Sequence, residues 1–198
     1  MDLSKFFWIN EPKNFRIAGD SISFQTEPGT DFWQRTYYGF QNDNAHACLT
    51  KVEEQEFSFS VNVRYAPAQL FDQAGVIIYQ NSDNWFKASV EFEGEGVSKL
   101  GSVVTNHGYS DWATTDIESP AEIHMSYRLS RRNKDFLIES AINGNPFRQM
   151  RIFHLHEAAG LIQLGIYACS PLKSSFQATF SSFDLGKCVW EAYQLAGG

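Results

Sequence analysis

The sequence lacks the features that mark several common classes of protein. It has three cysteines in 198 residues, Cys48, Cys169 and Cys188, and no CxxC pair, so neither a disulfide framework nor a zinc site is expected. No apolar run approaches the ~20 residues of a membrane helix. The first residues carry an early aspartate and no long apolar stretch, unlike a secretory signal. We therefore expect a soluble protein in the reducing setting of the cytoplasm.

Positive charge is also scarce. The chain has 16 Lys and Arg against 23 Asp and Glu, and its formal net charge is −7. Binding to nucleic acid needs a basic surface, because neutralising phosphates dominates that affinity. The densest basic segment, residues 128–134, ends at an apparent turn, which is typical of a solvated hairpin tip. Its basic residues are Arg128, Arg131, Arg132 and Lys134. Nucleic acid is therefore not an expected partner.

Helical periodicity is rare, and alternation with a period of two is frequent. The best helical candidates are the short segments HEAAG (156–160) and WEAYQL (190–195). In EFSFSVNVRY (56–65) every second residue is apolar, so one face of an extended strand would be buried and the other solvated. Aromatic residues make up 15% of the chain, and their flat rings pack well on pleated sheets. The pattern predicts antiparallel sheets.

Turn residues separate the strand-like runs. QNSDN (80–84) and INGNP (142–146) each predict a tight hairpin. No internal repeat and no linker divides the chain. The sequence therefore predicts one all-β domain over residues 1–198, built as a two-sheet antiparallel jelly-roll sandwich.

The hairpin around residues 80–84 carries an unusual set of side chains. Alternation places Trp85, Lys87, Ser89 and Glu91 on the face opposite the core, next to Tyr79 of the preceding strand. An aromatic ring beside charged groups offers a stacking platform for a sugar or another polar planar ligand. A cross-strand aromatic pair next to a solvated Lys–Glu pair explains the same pattern without any ligand. Spacing alone leaves both interpretations open.

Four segments resemble, in order, the DUF1349 or YesU-like family. They are TDFWQRTYYGF (30–40), AGVIIYQNSDNWFKASVEFE (74–93), SVVTNHGYSDWAT (102–114) and GIYACSPLKSSFQATFSSFDL (165–185). The resemblance implies the jelly roll of the concanavalin A-like lectins and glucanases. It also implies a role in carbohydrate metabolism, galactose metabolism included, and enolase as a candidate protein partner.

The resemblance adds candidate site residues in three of these segments. The family's recurring polar and aromatic residues match Asp31, Trp33, Trp85, Lys87, Glu91, Ser110, Asp111 and Trp112. In such a jelly roll the non-core side of one sheet is a concave surface where carbohydrate usually binds. The predicted ligand-binding set is Asp31, Trp33, Tyr79, Trp85, Lys87, Glu91, Asp111 and Trp112. Its aromatic rings would stack, and its charged groups would orient a sugar, an acidic metabolite held by Lys87, or a protein segment.

Three glutamates at alternate positions raise a catalytic alternative. Glu91 and Glu93 would lie roughly 6.6 Å apart along a strand, close to the carboxyl separations of glycoside hydrolases. Gly94 and Gly96 interrupt the run, so Glu95 is expected to leave the sheet in a turn. Lys87 is expected to keep Glu91 ionised, which is unfavourable for a general acid. A non-catalytic binding and regulatory protein is favoured, with a glycoside hydrolase using Glu91 with Asp111 or Glu93 as the alternative.

Other chemistries have weaker support in the sequence. The five histidines form no HExxH motif, and His154 and His156 predict a solvated surface pair. Ser170 lacks a GxSxG elbow, and Cys169 is expected to pack inside the sandwich. No glycine-rich loop resembles a phosphate-binding or dinucleotide-binding motif. The sequence therefore predicts neither a cofactor nor a metal ion.

Overall fold

The computed structural model describes residues 1–94 and 96–193, and within them the chain is almost entirely strands and turns. One short 3-10 helix, Leu3–Lys5, precedes the first strand. No helix in this described part has the length and apolarity needed to cross a membrane. Residues 156–160 form a non-helical turn and 190–193 have no helix, while Gln194, Leu195 and Glu95 lie outside the described residues.

Most strands belong to two antiparallel sheets. The first sheet, in spatial order, contains β1 (Phe7–Ile9), β6 (His46–Val52), β15 (Ile162–Cys169), β8 (Gln73–Asn81), β9 (Asn84–Phe92), β10 (Val97–Asn106) and β11 (Tyr109–Glu118). The second contains β14 (Arg148–His154), β13 (Asp135–Ile142), β12 (Ile123–Arg132), β7 (Glu56–Tyr65), β16 (Gln177–Gly186), β3 (Ser21–Gln25) and β2 (Phe15–Ala18). A separate hairpin pairs β4 (Phe32–Gln34) with β5 (Gln41–Asp43). This architecture confirms the predicted jelly-roll sandwich.

The main core lies between the two large sheets. In β7 the apolar residues predicted to share one face are all buried, as Phe59 at 0% exposure illustrates. Phe86 of the first sheet stacks on Phe153 of the second with ring centroids 4.0 Å apart, and Phe153 stacks on Phe136 at 5.2 Å. The hairpins predicted at 80–84 and 142–146 are confirmed as the turns between β8 and β9 and between β13 and β14.

The basic segment at the β12–β13 turn is not uniformly solvated, and the prediction is wrong for Arg131. This side chain is 0% exposed because it follows Leu129 on the core side of β12, where it pairs with Phe57 and Phe136. Its guanidinium donates to the carbonyls of Glu54, Asn133, Ala158 and Gly160 and to the side-chain oxygen of Gln55. Arg131 therefore ties together the loops at one end of the sandwich.

A second, smaller apolar cluster covers part of the outer face of the first sheet. The β4–β5 hairpin lies over this face, and Phe32 at 0% exposure contacts the rings of Trp85 and Tyr167. The remaining members include Trp33, Leu49, Ile77, Val103 and Cys169. Because the hairpin covers one part of the face and leaves the next part open, it forms the wall of a cleft.

Candidate ligand-binding cleft

The open part of this outer face is a cleft of about 550 Å³. Its floor is formed by β8, β9 and β10, one wall by the β4–β5 hairpin, and the opposite edge by Trp112 of β11. Pro171 and Leu172 close a further side. Small-molecule sites in proteins have volumes of roughly 300–1,000 Å³, so the cleft has an appropriate size for one.

Two glycines on the floor of the cleft leave space that the side chains of neighbouring strands occupy. The strand register places Tyr167, Gly75, Ser89 and Gly101 side by side on four neighbouring strands. Because Gly75 has no side chain, the Tyr167 hydroxyl reaches across β8 to lie 2.7 Å from Ser89 Oγ. A Cβ atom on Gly101 would lie 2.8 Å from Trp112 Nε1, so glycine is required for the indole to lie against β10.

A directional hydrogen-bond chain crosses the floor. The Tyr167 hydroxyl lies 2.9 Å from Gln73 Oε1, which accepts but cannot donate. Tyr167 therefore donates to Gln73, and its hydroxyl also lies within hydrogen-bond distance of Ser89 Oγ. Gln73 Nε2 in turn donates to Glu91 Oε2 at 2.6 Å, its direct cross-strand neighbour. The chain fixes one oxygen of Glu91 as an acceptor and leaves the other free to hold a proton.

Glu91 has a strongly altered acidity. Burial raises the pKa of Glu91 to about 8, and the negative charges of Asp31 and Glu93 act in the same direction. Lys87 lowers this pKa, but its effect is smaller than that of burial. The prediction that Lys87 keeps Glu91 ionised is therefore wrong, because removing the carboxylate from water outweighs the attraction of an ammonium already bonded to another acid. At neutral pH Glu91 is mainly a carboxylic acid that can donate a hydrogen bond.

Lys87 forms a buried ion pair beside this network. It is 5% exposed, and its ammonium lies 3.2 Å from Asp31 Oδ1. Burial lowers the pKa of Lys87, but the negative charges around it, above all Asp31, outweigh burial and raise it. The ammonium also lies 5.7 Å from the centre of the Tyr167 ring and 6.0 Å from that of Trp85. Lys87 is therefore a charged, immobilised part of the floor.

Aromatic rings form the upper wall of the cleft. Trp112 is 39% exposed and meets Trp33 edge to face, with ring centroids 6.5 Å apart. Trp33 contacts Tyr38 at 5.3 Å, and Tyr38 stacks on Phe40 at 5.5 Å. The exposed rings of Trp112, Tyr38 and Phe40 all border the cleft. They provide flat apolar surfaces above a polar floor, which is the arrangement that binds a ring carrying hydroxyl groups.

Five of the eight predicted ligand-binding residues line the cleft: Asp31, Trp33, Lys87, Glu91 and Trp112. Two others, Trp85 and Tyr79, are on the predicted face but are covered by the β4–β5 hairpin. Trp85 is 0% exposed, and its Nε1 donates to the carbonyl of Ser82. The Tyr79 hydroxyl donates to Asp43 of β5. Trp85 has no exposed surface with which to stack on a ligand, so its predicted stacking role is wrong, whereas Tyr79 is half-buried and does not line the cleft.

Asp111 is the third predicted residue that the cleft does not include. It pairs with Val104 on β10 and shares the core-side face of that strand, whereas Trp112 pairs with Val103 on the cleft side. Its carboxylate accepts from Arg151 Nη2 at 2.6 Å in a groove between β11 and β14. Asp111 therefore cannot act with Glu91 on one ligand, and that catalytic pairing is wrong.

Several cleft residues were missed by the sequence analysis. Ser89 was correctly placed on the same face of β9 as Lys87 and Glu91 but was not included in the predicted ligand-binding set. Gln73 and Tyr167 gave no signal, because their contribution depends on which strands are neighbours in the sheet. Tyr38 and Phe40 lie in a matched family segment but were not singled out.

Three histidines lie together away from the cleft. The ring centroids of His107 and His156 are 5.2 Å apart, and those of His154 and His156 are 4.9 Å apart. His154 Nδ1 lies 2.7 Å from Asp135 Oδ1. Across residues 1–94 and 96–193, no three His, Cys, Asp or Glu side chains are arranged to hold a metal ion. The predicted pair of His154 and His156 is thus part of a larger surface cluster.

Comparisons with known proteins agree on a family. The model of the family described as Protein of unknown function (DUF1349) matches residues 8–188. Regulation of enolase protein 1 of Saccharomyces cerevisiae is 29% identical over 184 residues, which are 93% of this chain and 90% of the yeast protein. A crystal structure of a functionally unknown protein from Saccharomyces cerevisiae superposes with a TM-score of 0.87 at 27% identity, covering 96% of this chain and 100% of that one.

More distant structures share the fold alone. A GH43 protein, BlXynB of Bacillus licheniformis, has a TM-score of 0.70 at 14% identity and covers 92% of this chain but 37% of its own. The legume lectin-like domain of Entamoeba histolytica has a TM-score of 0.59 at 8% identity and covers 93% of this chain and 91% of its own. These similarities support the two-sheet jelly-roll sandwich.

Proposed function

The chain belongs to the DUF1349 family, and we propose that it is a non-catalytic regulatory binding protein of carbohydrate metabolism. The proposal takes residues 1–198 as one domain acting in the cytoplasm, with enolase as its protein partner. The yeast relative named for the regulation of enolase supports the regulatory part, because the similarity extends over 93% of this chain. The cleft supports the binding part.

The floor of the cleft carries the proposed binding of a sugar-like ligand. Gln73, Ser89 and Glu91 place amide, hydroxyl and carboxyl groups on one surface, and hydrogen bonds among themselves and with Tyr167 hold them in place. A sugar hydroxyl both donates and accepts, so it needs such a mixed set of fixed partners. Trp112 provides the apolar surface on which the ring of the sugar would stack.

Binding to this cleft is tested by calorimetry with a panel of neutral monosaccharides and disaccharides. Trp112→Ala should weaken binding at least tenfold, about 1.4 kcal/mol, because it removes the stacking surface and leaves the floor intact. Tyr109→Ala is the matched control, since Tyr109 is an exposed aromatic on the same strand whose side chain lies on the opposite face. Equal binding by the wild type and the Trp112 variant would contradict the proposal.

The regulatory part is tested with purified enolase from the same source. Association should be detected by co-sedimentation or biolayer interferometry, and enolase activity should change when the protein is added at saturation. Trp112→Ala and Tyr109→Ala show whether the cleft or another surface carries the contact. Absence of both association and any effect on activity would reject enolase as the partner.

A glycoside hydrolase remains a second candidate because of one observation. Burial raises the pKa of Glu91 to about 8, and Glu93 lines the same cleft two residues further along the chain, so two carboxyl groups face one ligand site. A hydrolysis screen with oligosaccharides decides between the candidates. Turnover by the wild type that disappears in Glu91→Gln would establish an enzyme, and no turnover by either protein agrees with binding alone.

A further inference from the structure

The charges in the cleft do not balance. Two cations line it, and each already has an acidic partner: Lys87 binds Asp31 at 3.2 Å, and Lys99 binds Asp116 at 2.5 Å. Glu91 and Glu93 also line the cleft, and neither forms an ion pair within the described residues. The acidic groups in the cleft therefore outnumber the cations that could neutralise them.

Glu91 and Glu93 form an acidic pair in the cleft. Glu91 lies in β9, Glu93 directly follows that strand on the same face, and both side chains line the cleft. Burial raises the pKa of Glu91, and the charge of Glu93 acts in the same direction. The nearby ammonium of Lys99 is bonded to Asp116. The acidic pair is therefore available to a positively charged ligand.

The wall of the cleft is also suited to a cation. Trp112, Tyr38 and Phe40 expose aromatic surface at its border. The face of an aromatic ring attracts a positive charge, most strongly for tryptophan. An anion would have to displace an acid from either cation, because among the described residues that line the cleft Lys87 is paired with Asp31 and Lys99 with Asp116. This argues against the acidic metabolite that the sequence suggested for Lys87.

We propose that the ligand of the cleft carries a protonated amino group beside its hydroxyl groups, as in an amino sugar. The ammonium contacts Glu93 and the aromatic wall, while the hydroxyl groups bond to Gln73, Ser89 and Glu91. This inference rests on the proposed sugar-like ligand and specifies its charge. It predicts selectivity between sugars of the same shape that differ by one amino group.

The experiment compares matched pairs of hexoses and 2-amino-hexoses: glucose with glucosamine, galactose with galactosamine, and mannose with mannosamine. Affinities are measured by calorimetry or NMR titration at low ionic strength and slightly acidic pH, where the sugar amine is protonated. At least one amino sugar should bind ten times more tightly than its neutral partner. Added salt should reduce this difference, since it screens the attraction.

Glu93→Gln tests the source of the preference. It should abolish the selectivity, so that the affinities for the amino sugar and for its neutral partner lie within threefold of each other. Glu118→Gln is the matched control, because Glu118 is an exposed acid on β11 that does not line the cleft, and it should keep the selectivity. Neutral sugars that bind as well as amino sugars would overturn this inference and leave the proposed function standing. Failure of every sugar to bind would overturn both.

Discussion

Glu91 owes its properties to its position in one strand and to what lies on either side of it. Alternation places it on the cleft side of β9, the register places it beside Gln73, and the hairpin wall limits its contact with water. Burial favours the neutral acid. The hydrogen bond that Glu91 accepts from Gln73 is too weak to offset the free-energy cost of burying a full negative charge. A residue that looks like a solvated glutamate in the sequence thus becomes a proton donor.

This environment makes the stability of the protein depend on pH. The pKa of Glu91 is about 8 in the folded state, against an ordinary value of 4.5 for an exposed glutamate. Its stabilising contribution is therefore complete below about pH 4.5 and is lost as the pH rises through about 8. Glu91→Gln has no carboxyl group to titrate at this position. Between pH 4.5 and about 8 the free energy of unfolding of the wild type should therefore fall by roughly 2–4 kcal/mol more than that of the variant.

Urea unfolding at several pH values between these limits measures the difference. Glu118→Gln serves as the control, since it removes an exposed carboxyl group from the same sheet. It should follow the wild type throughout the range. Parallel pH profiles for the wild type and Glu91→Gln would show that Glu91 is ionised in the folded protein.

The sequence also contained information about the direction of two side chains that the prediction did not use. Asp111 and Trp112 are adjacent on β11, so their side chains must lie on opposite faces of the sheet. Placing both in one cleft was inconsistent with alternation. Arg131 was similarly indicated as inward-facing by its spacing of two from Leu129, although nothing in the sequence identified the five oxygens that accept its hydrogen bonds.

At the scale of elements, the β4–β5 hairpin decides which part of the first sheet is open. Its turn contains Arg35 and Tyr37 in the left-handed region, at φ of 58° and 60°. Arg35 holds the turn by donating to the carbonyl of Gly108 at 2.7 Å and to Asp83 at 3.2 Å. These contacts fasten the hairpin to the β8–β9 and β10–β11 turns. The rings of Tyr38 and Phe40, which the hairpin contributes to the cleft, are therefore held in fixed positions.

Phe32 should be the main apolar contact of this hairpin. Phe32→Ala removes a ring that is 0% exposed and packs on Tyr79, Trp85 and Tyr167. The free energy of unfolding should fall by about 3–5 kcal/mol, and acrylamide should quench tryptophan fluorescence more strongly as Trp85 becomes accessible. Tyr37→Ala in the same hairpin is the control, because Tyr37 is 94% exposed and its loss should change stability by about 0.5 kcal/mol or less. Equal effects of the two variants would show that the hairpin is not packed on the sheet.

At the scale of the whole molecule, the two sheets are joined by large rings in the space between them. The stack of Phe86, Phe153 and Phe136 crosses from the first sheet to the second near β14. A sandwich of this kind is stabilised mainly by apolar area removed from water on the inner faces. The cleft, in contrast, lies outside this core on the second, smaller cluster.

Phe153→Ala should destabilise the whole sandwich without altering the cleft. The lost ring leaves a cavity between the sheets, and the free energy of unfolding should fall by about 3–5 kcal/mol. Ile152→Ala, at the next residue, removes a side chain that is 53% exposed and should have little effect. Ligand affinity of both variants should equal that of the wild type under conditions where they are folded. A loss of affinity in Phe153→Ala alone would show that the core and the cleft are coupled.

The sequence by itself determined the class of fold and the face of each side chain, because alternation along a strand is a local property. It predicted the inward residues of β7, the turns at 80–84 and 142–146, and the common face of Lys87 and Glu91. The tertiary structure decided what covers each face. Residues 32–43 cover Trp85 completely and leave Glu91 half-buried in the cleft, and that difference depends on contacts between segments about 50 residues apart in the chain. Burial and strand order then set the acidity of Glu91 and the charge of the cleft, neither of which depends on local sequence alone.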